Sequence, residues 1–225
     1  MIWTLIAYIV IITIIFFIEH GSINYGLHSN LLNNTPLNIL FPLFHISLDH
    51  FINNLFGLIF LVITLLVLRK YGIELPSEKF GVIGIFVSSI SVAISVYIQY
   101  LLLHDDFVVL GSSVVITTFV GIIYSLLFGE HAIIIAGISL IILLIGTLSN
   151  MAIFILPIII LFYLAKYVDF KGKRNMIIMY LVFVLSYLII GDNSISTLLH
   201  FVGFVVGIFL SLTLYHNNGQ MLIER

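Results

Sequence analysis

Ser113 lies in the stretch Leu110-Gly111-Ser112-Ser113-Val114, at the mouth of an apolar run of about 16 residues, shorter than the ~20 needed to cross a bilayer unaided. A serine hydroxyl becomes a nucleophile when a neighbouring base takes its proton. His200 is the candidate base, and it too sits near the start of an apolar stretch. His50 and Asn54, four residues apart and so on one helical face, open a third such stretch. An amide there can donate to the oxyanion that forms when a serine attacks a carbonyl. Serine, imidazole and amide in this pattern are the groups of acyl-transfer chemistry.

The composition says where that chemistry would occur. Of 225 residues, 62% are hydrophobic and 8% charged, against roughly 25% charged in a soluble domain. The chain reads as an all-α, polytopic membrane helix bundle forming a single domain over residues 1–225. A net charge of -2 gives no reason to expect nucleic acid as a partner. The absence of cysteine excludes disulfides, thiolate metal sites and a cysteine nucleophile. The N-terminus lacks a basic region and a cleavage site, so it reads as a retained first span.

Eight apolar runs cover approximately 2–18, 48–68, 81–103, 111–128, 132–148, 151–167, 175–190 and 198–215, and their length without alternation predicts helices. The fifth and sixth, joined by a short turn and containing Pro157, form an extra hairpin within 131–167, either two short spans or a re-entrant excursion. All eight Lys and Arg (Arg69, Lys70, Lys79, Lys166, Lys171, Lys173, Arg174, Arg225) fall on one side if the first run leaves the cytoplasm. Both termini are then cytoplasmic, and Ser113, His200, His50 and Asn54 share a layer near the outer face. The external loops are 19–44, which reads as an irregular flap, 104–110, and 191–197.

Each residue also has an ordinary role. A serine in a membrane helix commonly bonds a backbone carbonyl, an asparagine can simply join helices, and an interfacial histidine can be solvated. His200, Gly203 and Gly207 lie on about one face, and with Gly121 they predict a close helix crossing. His45, five residues before His50, is expected to point elsewhere, into the flap. No His-Glu-x-x-His pair is present, so no metal or cofactor is expected. Gly191-Asp192 has no partner aspartate within a span, and the small number of charges in the apolar runs argues against a transporter.

Three separated segments carry a family resemblance. His45-Ile-Ser-Leu-Asp-His50-Phe-Ile-Asn-Asn54 resembles the His-x-x-x-x-His-x-x-x-Asn of rhomboid intramembrane serine proteases. Gly111-Ser112-Ser113 resembles their Gly-x-Ser, and His200-Phe-Val-Gly203-Phe-Val-Val-Gly207 their His-x-x-Gly-x-x-x-Gly. The resemblance covers about 1–130 and 174–215 and implies a six-helix core, a Ser113–His200 dyad without an aspartate, and an oxyanion site from Asn54, His50 and backbone N–H groups. It implies transmembrane proteins as substrates and the lipid bilayer as surroundings. Val114 in place of the usual Gly, Thr117 where an aromatic ring commonly stacks on the histidine, a missing Trp-Arg and the hairpin depart from the family pattern. A rhomboid-like protein that binds transmembrane clients without cleaving them is the alternative. The lack of Cys and wealth of Ile point to a prokaryote, in which a multi-pass protein of the plasma membrane is expected.

Overall fold

In a computed structural model, residues 1–18, 26–29, 36–45, 47–104, 108–137 and 194–215 are described. Most of them are helical: α1 (Ile2–Ile18), a 3-10 helix (Pro36–Leu43), α2 (Leu48–Lys70), α3 (Glu78–Leu103), α4 (Ser113–Phe128) and α5 (Ser194–Tyr215). Residues 131–137 are also helical. Most of the hairpin expected at 131–167, the seventh run at 175–190 and the start of the 191–197 loop lie outside the described residues.

Local sequence accounts for the helix ends. Ser47 caps α2, its Oγ accepting from the His50 N–H at 3.2 Å, and Ser77 caps α3 by accepting from the Phe80 N–H at 3.3 Å. Arg69 and Lys70 in the last turn of α2 complement the negative end of its dipole. That helix stops in a Schellman turn: Gly72, at φ +81°, donates to the Arg69 carbonyl at 3.0 Å, and the Ile73 N–H donates to the Leu68 carbonyl at 3.1 Å.

The contacts gather into two compact units, Met1–Leu66 with Leu75–Ile116, and Val67–Glu74 with Thr117–Arg225. In the first, Leu5, Ile12, Leu58, Leu61, Leu65 and Val92 are wholly buried. Glu78 ties α1 to α3: its carboxylate accepts from the Thr4 N–H at 2.8 Å and the Thr4 hydroxyl at 2.7 Å, and pairs with the Met1 amine at 2.6 Å. In the second, α4 and α5 meet backbone to backbone, since a Cβ on Gly121 would overlap the Phe204 carbonyl and one on Gly207 the Thr118 carbonyl. Tyr124 and Phe204 meet edge to face beside the crossing, 5.2 Å between ring centroids. The Gly121–Gly207 approach thus agrees with the small-residue face read from the sequence.

The described residues are mostly helical, as the all-α reading expects, with one short antiparallel pairing of Leu27–His28 (β1) with Val108–Val109 (β2). Two expectations need correction. The 19–44 segment is not simply irregular, because it holds β1 and the 3-10 helix. The final helix begins at Ser194, so residues 194–197 are helical and not part of a loop. Apolar run length finds helix interiors well and their polar first turns poorly.

Candidate active site

Ser113 opens α4, where the first helical hydrogen bond runs from the Ile116 N–H to the Ser112 carbonyl at 3.0 Å. The positive end of the helix dipole lies there, which favours developing negative charge. The preceding turn depends on Gly111, at φ +103°, a backbone conformation that L side chains rarely adopt. Its φ lets the chain leave β2 and enter α4 within a few residues.

The same glycine touches the other predicted residues of this unit. A Cβ on Gly111 would stand 2.6 Å from His50 Cε1, 2.7 Å from His50 Nε2 and 3.1 Å from Asn54 Nδ2. His50 and Asn54 are therefore packed against the backbone two residues before Ser113, with no room for a side chain between. Asn54 is 4% exposed, and its Nδ2 has no hydrogen-bond acceptor. A buried N–H left without an acceptor costs about 1–3 kcal/mol. Such a donor is ready for an oxygen that arrives with substrate.

His45 does not point elsewhere, as its spacing from His50 predicted. It is 3% exposed, enclosed by Phe16, Phe51 and His50, with 5.4 Å between the His45 and His50 ring centroids. The chain bends between the 3-10 helix and α2, so helical spacing does not apply to it. Its Nε2 lies 3.4 Å from Ser112 Oγ. Ser112 Oγ in turn donates to the Pro42 carbonyl at 2.8 Å, and Tyr8 O–H donates to that carbonyl at 2.9 Å. Gly111 N–H donates to the Phe41 carbonyl at 3.2 Å.

Ser112 and His45 thus form a serine–histidine contact that sequence spacing missed. The adjacent serines, with a histidine five residues before His50, were its one visible signal. The contact is not a nucleophile–base pair. The single Ser112 proton is given to Pro42, so toward His45 the oxygen accepts the Nε2 proton, and Ser112 is 0% exposed. His45 Nδ1 carries the lone pair in this tautomer and has no partner.

Burial, reinforced by the charge of His50, pushes the His45 imidazole down from its usual 6.5 to about 3. His45 lies between the 3-10 helix and α2, outside the apolar helices. Between those values the unfolded chain binds the proton and the folded chain does not, so this residue's contribution to stability falls as pH drops below 6.5. Acidification to pH 5 is expected to cost about 2 kcal/mol. Thermal unfolding in detergent micelles at pH 7 and pH 5 measures it, and His45→Gln is expected to flatten the pH dependence.

His200 is half-buried on α5, in the second unit, with Phe201 and Leu199 buried beside it. Ser113, His50 and Asn54 belong to the first. Among the described residues no group of three or more His, Cys, Asp or Glu is arranged to hold a metal ion. Compared with protein-family models, with curated proteins and with solved structures, the chain has no match.

Proposed function

We propose that the chain is a rhomboid-type intramembrane serine endopeptidase that cleaves membrane proteins in or near their transmembrane segments. The observation that carries this reading is Gly111, whose backbone lies against His50 and the acceptor-free amide of Asn54, two residues before Ser113 at the start of α4. Two sequence-distant segments that carry groups for acyl-transfer chemistry thereby lie side by side.

The membrane setting has its own support. α2 and α3 are long and apolar enough to cross a membrane. Phe56, Ile59, Ile63 and Leu66 on α2, and Phe86, Ile90, Ile94 and Ile98 on α3, form exposed apolar stripes at helical spacing. Exposed apolar stripes of this kind suit lipid as their surrounding. The proposed arrangement is multi-pass, in a prokaryotic plasma membrane, with both termini cytoplasmic, the six-helix core carrying the site and no cofactor required.

In the proposed reaction, neutral His200 takes the Ser113 proton as Oγ attacks the scissile carbonyl. Asn54 Nδ2, with His50 and the helix dipole of α4, stabilises the oxyanion. His200 then protonates the leaving amine. A water, deprotonated by His200, attacks the acyl-enzyme, and the proton returns to Ser113 as the carboxylic acid leaves. No aspartate is assigned to hold His200, so packing on α5 must orient it.

A fluorophosphonate probe is expected to label Ser113 of the full chain in liposomes, and a transmembrane substrate is expected to be cut. Asn54→Ala is expected to lower kcat about 10²–10³-fold with little change in KM, because its donor acts on the oxyanion alone. Binding of a transmembrane client with neither cleavage nor labelling would instead support the non-catalytic alternative.

A further inference from the structure

The turn before Ser113 is fastened to the first external segment by β1–β2 pairing and by the Gly111 N–H on Phe41. Both of these ties are made by backbone. Ser112 adds a tie made by a side chain of the turn itself, and it is the position that the Gly-x-Ser pattern leaves open.

Resting on the endopeptidase reading, we infer that Ser112 is a positioning residue: its hydroxyl, held between the Pro42 carbonyl and the His45 ring, sets where Ser113 and His50 stand relative to each other. The Pro42 carbonyl has two lone pairs and accepts from Tyr8 O–H at 2.9 Å and from Ser112 O–H at 2.8 Å. Ser112 Oγ then takes the His45 Nε2 proton at 3.4 Å. Donor and acceptor sides of the hydroxyl are both used, so one rotamer is selected. Its backbone is fixed as well, since its carbonyl receives the first helical bond of α4.

His45 carries the constraint onward. Its ring packs edge-on to His50, 5.4 Å between centroids, and His50 lies against Gly111. The path therefore closes on itself: Ser112 to His45, His45 to His50, His50 to Gly111, and Gly111 by one peptide bond back to Ser112. A closed path of packed groups resists small displacements that a single tie would permit. Tyr8 hangs the same carbonyl from α1, 34 residues away in sequence.

Removing the hydroxyl separates positioning from folding. In Ser112→Ala, Pro42 keeps the Tyr8 donor and the turn keeps its backbone bonds, so the fold is retained. His45 loses its acceptor, however, and the buried N–H must find another by turning the ring. A displacement of about 1 Å at a catalytic group costs up to about 10²-fold in rate. The loss belongs in kcat, because Ser112 is wholly buried and touches no substrate.

The test uses the full chain in liposomes with a transmembrane substrate, and a fluorophosphonate as an independent reporter of Ser113. Ser112→Ala is expected to lower kcat about 10–100-fold with KM within about 2-fold, and to slow labelling in parallel. Ser112→Thr, which restores the hydroxyl, is expected to return kcat to within about 5-fold of wild type. In a His45→Phe background the further effect of Ser112→Ala is expected to shrink, the mark of two residues acting through one contact. If the added methyl of Thr unfolds the chain, Ser112→Cys decides: it keeps a small side chain with a weaker donor, and kcat below wild type supports the role. Wild-type kcat in Ser112→Ala or in Ser112→Cys, or a folded Thr variant no better than Ala, overturns it while leaving the endopeptidase reading intact. A wild-type chain that neither cleaves nor labels removes both together.

Discussion

Ser113→Ala is expected to abolish cleavage of a transmembrane substrate, by about 10⁴-fold or more, and to eliminate fluorophosphonate labelling. The neighbouring hydroxyl cannot replace it. Ser112 is adjacent but wholly buried, and its proton is committed to the Pro42 carbonyl. Labelling that survived at Ser112 would overturn the assignment of the nucleophile. His200→Ala is expected to lower kcat by about 10²–10⁴-fold, the range for loss of a general base.

Gly111→Ala is expected to lower turnover and stability together. The new Cβ would press on the His50 ring at 2.6 Å, and the backbone at φ +103° would be strained whatever the space. The strain alone is of order 1–3 kcal/mol, and displacing His50 and Asn54 from the turn is expected to cost at least about 10²-fold in kcat. Gly72→Ala separates the two causes. Gly72 has φ +81°, but nothing lies within 4 Å of where its methyl would stand, so this variant is expected to lose stability and keep its turnover. Equal turnover in the two variants would show that the contact with His50 and Asn54 has no part in catalysis.

Helix interiors were legible in the sequence because apolar run length reports them directly. The run at 2–18 matches α1 residue for residue, and 81–103 misses only the first turn of α3, which Ser77 caps. The small residues Gly121 and Gly207 announced a close crossing, since only a residue without Cβ lets two backbones touch. His50 and Asn54 were legible as a pair because four residues make a turn of helix.

The polar node around Ser112 was not legible. His45 was assigned away from His50 on helical spacing, whereas the chain leaves the 3-10 helix at Leu43 and starts α2 only at Leu48, so its direction is set by that bend. Nothing local marks Leu27–His28 as a strand. Its partner is Val108–Val109, far along the chain, and pairing depends on which segment arrives alongside.

What the sequence by itself determined is the chemistry on offer and the elements that carry it: a serine, two histidines and an amide near the starts of apolar runs that read as helices. What the tertiary structure alone decided is which of the two hydroxyls is committed within the fold. Ser112 and Ser113 are chemically identical and adjacent. One is spent on the Pro42 carbonyl and the other opens α4, because a hydrogen bond depends on position in space, and no spacing along the chain encodes where a carbonyl from residue 42 will stand.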